Sequence, residues 1–486
     1  MVGPDTFRFL NDTRSLAEHG WDDRRLARLW RYNLHYFDDL NATAAGERKA
    51  WHRASIMRWI AENPPGQGTA WEPYPTSLRI VNWIKWLLAG NEPVSGMLDS
   101  LAVQARWLAR RIEWHLLGNH LFVNAKALVF AGTFFSGDEA GRWRERGASV
   151  LLRELPEQVL ADGGHFERSP MYHALALEDV LDLVNLLRAN GDDGTSPLAR
   201  ALLTRVPAML HWLRCMSHPD GGIALFNDAA EGIAPANAEI EAYASRLGFS
   251  APYPPLDGVA HLAASGYVRV ARGAAVAIFD CAPIGPDYLP GHAHADTLSF
   301  ELSVNGQRLV VNGGTSCYGT SAQRVRERGT AWHSTVQVAD CDSSEVWSGF
   351  RVGRRARPGP VAIENGCVEC SHDGYRFLVG SPRHHRRWCL QENGLRVEDW
   401  LTDRRHMAVA RFHLAPGIDA RPQDDAKRHW VVDIQGSPIA RCEIGVGSAR
   451  VEPSEYAPQF GTRIPIRTLA VQLDAGRASV HWRWNP

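Results

Sequence analysis

In the first half of the chain, apolar residues recur every three to four positions, the period of helices with one buried face. In 76–88, Ile80, Ile84, Leu87 and Leu88 share a helical face just after Pro73 and Pro75. Val180, Leu181, Val184 and Leu187 do the same within 173–189, and 207–216 reads as a further helix with Pro207 in its first turn. About ten such segments precede Phe249 without intervening strands, which predicts helix-on-helix packing rather than an α/β sheet. The texture changes at the Pro-rich stretch 250–258. Beyond it, segments 267–270, 275–279, 297–304, 334–338, 395–400, 408–414, 430–434 and 469–473 are short, β-rich and separated by turns. The pattern predicts a helical domain over 1–252 and an antiparallel β-sandwich over 259–486.

One segment departs from simple core patterning. In Gly291-His-Ala-His-Ala-Asp-Thr-Leu-Ser-Phe300, an extended strand would put His292, His294 and Asp296 on one face. Leu298, Phe300, Leu302 and Val304 continue the alternation, and Asn305-Gly306 supplies a type I′ hairpin turn before 308–311. The expectation is a rigid hairpin presenting two imidazoles and a carboxylate, groups able to bind metal or move a proton. Surface histidines on an edge strand would give the same pattern.

Composition narrows the classes. With 486 residues, 45% of them hydrophobic, the chain has material for two large cores. No apolar run reaches the roughly 20 residues a membrane helix needs. The net charge of −1 excludes general nucleic-acid binding, which requires a basic surplus. Lys occurs only at 49, 85, 126 and 427, so the positive charge is nearly all Arg. Its planar fork suits carboxylate and sulfate, although biased codon usage would produce the same preference. The 18 Trp either stack on sugar rings or fill the core. Eight scattered cysteines suggest buried thiols and no disulfide framework, and Cys367-Val-Glu-Cys370 lacks the second pair a zinc site would need. The Arg clusters 351–357 and 383–387 would attract a polyanion or guard strand edges.

Three further segments concentrate proton-active side chains near glycines: 117–126, with Asn119 and His120 at the head of an apolar helix; 162–173, with His165, Glu167, Arg168, Tyr172 and His173; and 324–335, ending at His333. Helix capping would account for the first two separately. Taken together, the motifs Gly118-Asn119-His120, Asp162-Gly-Gly164 with Ser169-Pro-Met-Tyr-His173, His218-Pro-Asp-Gly-Gly222 with Asn227-Asp228, His292-Ala-His-Ala-Asp296 and Thr330-Ala-Trp-His-Ser-Thr335 resemble the heparinase II/III-like polysaccharide lyases. Their order and spacing cover roughly residues 110–340.

The resemblance implies an N-terminal α/α toroid, an incomplete barrel, followed by a C-terminal antiparallel β-sandwich. It also implies β-elimination on an acidic polysaccharide or oligosaccharide containing uronic acid. The C5 proton of a uronate is too weakly acidic to leave while its carboxylate keeps full charge, so neutralising donors are required. Asn119 and His120 match the family's carboxylate-contacting pair, Tyr172 its catalytic tyrosine and His292 its partner acid or base. A phenol of ordinary pKa, about 10, needs nearby positive charge to act as base, and Arg168 and His173 are the local candidates. Arg168, Tyr318, Arg324 and Arg328 match polar positions near the substrate cleft. Several members hold a structural zinc, and His294, Asn312 and His333 occupy its three ligand positions. Asn312 stands where the family has Asp; a neutral amide is the weaker ligand, with Asp296 the substitute. No basic segment followed by an apolar run opens the chain, so the expected location is the cytoplasm, with the periplasm as alternative because relatives are usually exported. Oligomeric state is not legible. Two rival functions are an inverting glycoside hydrolase using Asp162, Glu167 and Asp228, and a polysaccharide-binding protein without catalysis.

Overall fold

The fold, described for residues 1–485 in a computed structural model, opens on a small antiparallel hairpin of Thr6–Phe9 and Asp12–Ser15, continues with helices and ends with antiparallel sheets. The last long helix of the first half closes at Arg246 and the strands of the second half start at Gly258. Cα packing divides the chain into two compact units, Met1–Gln158 with Glu178–Arg205, and Val159–Leu177 with Val206–Pro486. Against the expected ranges 1–252 and 259–486, the helices Pro170–Ala189 and Pro197–Cys215 each contribute to both units. Pro207 accordingly lies inside the second of these helices rather than in a first turn.

In the first unit, helices Pro73–Leu88, Gly118–Phe134 and Asp138–Gln158 pack through large aromatics and small residues. Trp59, Trp83 and Trp86 are fully buried, and the buried Arg79 guanidinium lies 3.9 Å over the Trp59 ring. Helices 118–134 and 138–158 approach closely at Gly132 and Gly147, where an added Cβ would stand 2.5 Å from Ala140 O and 2.6 Å from Ala125 O. Ile80 and Ile84 are buried as their spacing predicts, while Leu88 is exposed. The apolar frame encloses one ionic knot: Lys126 Nζ donates to Asp179 at 2.6 Å and to Asp182 at 2.7 Å, and Lys85 Nζ meets Asp182 at 3.1 Å. Burial opposes the Asp182 charge, but the two ammonium groups hold its carboxyl down to about 2.

In the second unit, strands alternate buried and half-buried positions, as along His384–Gln391, where His384, Arg386, Trp388 and Leu390 are buried. Among the described residues, the strands beyond Gly258 form an eight-stranded sheet, a nine-stranded sheet and a short two-stranded ribbon. Trp388 of the first sheet stacks on Phe279 of the second at 4.7 Å, and Phe412 meets Trp482 at 5.7 Å. The buried Arg386 guanidinium grips Asp399 and reaches Leu298 O at 2.9 Å, so a residue of the basic cluster 383–387 is a core fastener. Cys367 and Cys389 face each other in the ladder at a Cα separation of 4.1 Å and form a disulfide, correcting the expectation of free thiols for this pair. No helix of the described residues is long and apolar enough to cross a membrane.

The Lys126 knot generates a stability prediction. Replacing Lys126 by Met removes an ammonium from the buried Asp182 and the bonded ammonium from the half-buried Asp179, and loss of one partner of a buried ion pair costs about 3–5 kcal/mol. Urea denaturation should show that loss with an unchanged m-value; a change within about 0.5 kcal/mol would mean the knot contributes nothing.

Candidate active site

The helix Gly118–Phe134 opens on Leu117, whose φ of 59° and lack of a side-chain cap leave Asn119 and His120 inside the first turn. Asn119 is therefore not the N-cap, and its carboxamide neighbours the Tyr74 hydroxyl. His120 Nδ1 lies 3.1 Å from Glu113 Oε2, and its ring packs 4.4 Å from that of Tyr74. Glu113 is fixed in turn, accepting from Asn124 Nδ2 at 3.2 Å while its own backbone N–H donates to Asn124 Oδ1 at 2.9 Å. Two side-chain donors thus sit at a helix N-terminus, where peptide dipoles favour an anion.

In the second unit, Ser169 starts the helix carrying Tyr172. Its hydroxyl accepts from Tyr172 N at 3.2 Å and donates to Asp228 O at 2.5 Å. The Tyr172 ring stacks on His292 with centroids 4.1 Å apart and planes 17° apart, and its hydroxyl lies 2.9 Å from that of Tyr318. His292 Nδ1 donates to Glu167 Oε2 in a very short bond. Burial alone would lower the His292 pKa, but the Glu167 carboxylate outweighs it and raises it. Burial, with Tyr318 and Asp228 adding to it, holds Tyr172 well above an ordinary phenol. Neither proposed source of positive charge faces that phenol. Arg168 donates to Ser265 O at 3.0 Å and Phe166 O at 3.1 Å, and His173 is bound to Met209 O at 2.9 Å.

The segment 291–299 is not a strand. The ladder starts at Phe300, and Asn305 and Gly306 form the expected positive-φ turn. Leu298 at φ 63° interrupts extended geometry, and the carbonyls ahead of it are claimed by side chains: Ala293 O by Arg328 at 3.0 Å, Ala295 O by Thr330 at 2.9 Å. The histidines therefore precede the hairpin. Their alternation still sends His292 to Glu167, His294 to Asp228 and Asp296 to Asn227 N.

Asp228 is the centre of this arrangement. Fully buried, it accepts from Arg324 Nη2 at 2.7 Å, from Nη1 in a shorter bond, and from His294 Nε2 at 2.8 Å. Against its burial, Arg324 and His294 hold its pKa far below the usual carboxylate range. Arg324 and Arg328, expected at the substrate, are both fully buried and bound to internal partners. Asp162 binds Ser265 N at 2.7 Å and Gly164 N at 3.0 Å. All three carboxylates of the hydrolase reading are thus engaged by internal donors. Sequence reasoning missed Glu167 as the partner of His292, although the density of titratable groups in 162–173 pointed to that segment.

The donors expected for zinc are present in part. His294 and His333 are fully buried with rings 5.2 Å apart, and His294 Nδ1 and both His333 nitrogens lack hydrogen-bond partners. Binding of His294 Nε2–H by Asp228 leaves Nδ1 as a lone pair, the arrangement of a carboxylate-oriented metal ligand. At the third position, Asn312 Oδ1 accepts from Ser334 N at 3.1 Å. Among the described residues no three His, Cys, Asp or Glu side chains converge on a metal position. Asp296 is committed to Asn227 N, and burial pushes its carboxyl up to about 7. Two buried imidazoles with unpartnered nitrogens are thus the donors these residues offer to a zinc, while the Asn312 oxygen is already engaged by Ser334 N.

Comparison with known proteins identifies the family and the fold. Residues 28–246 match the family model Heparinase II/III N-terminus, and residues 254–484 match Heparinase II/III-like, C-terminal. A protein named FtsZ-localized protein C from Caulobacter vibrioides is 28% identical over 421 residues, covering 77% of this chain and 69% of that protein. The heparin-sulfate lyase of Pedobacter heparinus is 26% identical over 362 residues, 67% of this chain, and the match spans half of that enzyme's length. The crystal structure of heparinase III superposes with a TM-score of 0.76 at 17% identity, covering 95% of this chain and 78% of that one. The structure of a mutant heparan sulfate lyase from Pedobacter heparinus gives 0.68 at 20% identity, covering 99% of this chain and 81% of that one. The shared fold is the helical toroid followed by an antiparallel β-sandwich.

Replacing Arg324 by Met should destabilise the protein by about 3–5 kcal/mol, because Asp228 would stay buried with His294 as its remaining side-chain donor. Chemical denaturation measures this. A loss below about 1 kcal/mol would show that the Arg324–Asp228 pair does not organise the site.

Proposed function

Because the chain belongs to the heparinase II/III-like family of polysaccharide lyases, we propose that it cleaves a uronic-acid-containing polysaccharide by β-elimination. The observation that carries this reading is the stacked Tyr172–His292 pair, with His292 bound to Glu167 through Nδ1 and Tyr172 through its hydroxyl to Tyr318. With Nδ1 engaged, Nε2 is the nitrogen left to take the C5 proton. The C5–H electrons form the C4–C5 double bond, the C4–O bond breaks, and the departing oxygen takes the Tyr172 phenolic proton. A phenol kept neutral by burial is suited to that donation. The proton gained by His292 then returns to the tyrosine. The family resemblance assigns Asn119 and His120 to the uronate carboxylate, where an amide and an imidazole offer the donors that carbanion character at C5 demands.

Zinc is part of the same reading as a structural element. His294 and His333, with Asn312 as a neutral third donor, would hold it, and its positive charge would fix the loop that carries His292. No step of the elimination passes through it. The hydrolase alternative is less well supported, since Asp162, Glu167 and Asp228 are each bound to internal donors. A non-catalytic role would not require the Glu167–His292–Tyr172 arrangement.

Ultraviolet absorbance should rise when the protein is incubated with one member of a panel comprising heparan sulfate, alginate and acidic bacterial exopolysaccharides. Tyr172→Phe, which removes only a hydroxyl, should abolish that rise while circular dichroism and melting temperature stay near wild type. Full activity in the variant would rule out the tyrosine's role, and saturated reducing ends without absorbance would replace elimination by hydrolysis. For the metal, elemental analysis should find zinc in the wild type and not in His294→Ala. That variant should also melt at a lower temperature than His292→Ala. Equal, small effects of the two substitutions and no bound zinc would remove the metal from the scheme.

A further inference from the structure

A short ribbon reaches the site without any sequence signal that places it there. Strands Val346–Trp347 and Arg351–Val352 pair with each other alone, joined by Ser348, Gly349 and Phe350. A ribbon this small is not stable by itself in water, so something else must hold it. Two fully buried guanidiniums do so: Arg324 Nε donates to Gly349 O at 3.0 Å, and Arg328 Nη1 reaches Ser348 O at 3.4 Å and Trp347 O at 3.5 Å. The same Arg324 is bound to Asp228, and the same Arg328 holds Ala293 O between the two histidines. The tip also rests directly on the chain next to Tyr318, since a Cβ at Gly349 would stand 2.4 Å from Gly319 O.

Val346 of this clamped ribbon is buried and Arg324 lies 5.3 Å from the Phe350 ring, but two aromatic side chains keep much of their surface open to water. Trp347 is 53% exposed and Phe350 42% exposed. The Phe350 ring nevertheless lies 6.0 Å from His292 and 5.2 Å from Tyr318, edge to face with both. One large apolar surface, Phe350, is thus held beside His292, and a second, Trp347, stands open to water on the same ribbon, on backbone fixed by costly buried charges. Exposed aromatics on a rigid support bind ligands with flat apolar faces, and a pyranose ring presents one through its axial C–H groups.

We propose that the ribbon 346–352 is the platform on which a sugar ring of the acidic polysaccharide stacks beside the bond to be cleaved, with Phe350 and Trp347 as its contact surfaces. The proposal rests on a saccharide being the substrate, and it adds the residues that set affinity for the chain apart from those that break it. Arg324 and Arg328 are positioning residues, acting through the ribbon backbone.

The test uses affinity electrophoresis of the full-length protein in gels containing heparan sulfate, alginate or an acidic exopolysaccharide, which reads binding without turnover. Trp347→Ala and Phe350→Leu should each weaken retardation by the retarding polymer about tenfold, while melting temperatures remain near wild type. On a cleaved polymer, the same variants should raise KM more than they lower kcat. Tyr253→Ala, which removes an exposed aromatic resting on Arg214, should retain wild-type retardation. Undiminished retardation of the Trp347 and Phe350 variants would overturn the proposal. So would equal loss in Tyr253→Ala, or no retardation of the wild type in any gel. Retardation that depends on Trp347 without any ultraviolet product would support the platform while rejecting elimination, so the two readings fail separately.

Discussion

A single buried carboxylate, Asp228, holds the elements of the candidate site in the second unit in register. It accepts from both terminal nitrogens of Arg324 and from Nε2 of His294, and its backbone carbonyl takes the hydroxyl proton of Ser169. Its own backbone N–H donates to His292 O at 2.9 Å. The loop bearing both histidines, the start of the tyrosine helix and the helix 322–328 therefore meet at one charge. Burying an ion is expensive, and the expense is offset only when every lone pair is engaged in good geometry. That demand fixes relative positions more tightly than apolar packing, which tolerates substitution of similar volume.

The same economy explains why charged side chains sit so deep around the site. Arg328 satisfies the carbonyl of Ala293 that a strand ladder would otherwise have taken, so the loop can leave the sheet and still have its backbone groups paired. Freed from the ladder, His292 approaches Tyr172 face to face and Glu167 along its Nδ1 edge. Carboxylate, imidazole and phenol are then ordered from one side to the other. Burial keeps the phenol protonated, and Glu167 sets the orientation of the ring beside it.

Much of this was readable from residue patterns, and the failures have identifiable causes. Spacing of three to four along 76–88 and 173–189 correctly marks helices, because burial of one face is a local property of the pattern. The turn at Asn305-Gly306 follows from positive φ, which those residues adopt at low cost. The extended reading of 291–299 failed because its carbonyls find side-chain partners from residues 328 and 330, contacts that alternation cannot reveal. Pro207 was assigned to a helix start on general preference, whereas the helix begins ten residues earlier at Pro197. Cys367 and Cys389 are 22 residues apart, and only the pairing of their strands brings them together.

By itself, the sequence determined the order of helical and β-rich regions, the turn chemistry and the inventory of proton-active groups, because these depend on backbone preference and on the periodicity of burial. Tertiary structure alone decided what those groups do. Glu167 became the partner of His292 across 125 positions, Asp228 the partner of Arg324 across 96, and Phe350 a neighbour of His292 through a ribbon that no local pattern announces. Hydrogen bonds and ion pairs act over a few ångströms in space, whatever the separation along the chain. The chemistry of a residue is local, and its role is assigned by the partners that folding brings within that range.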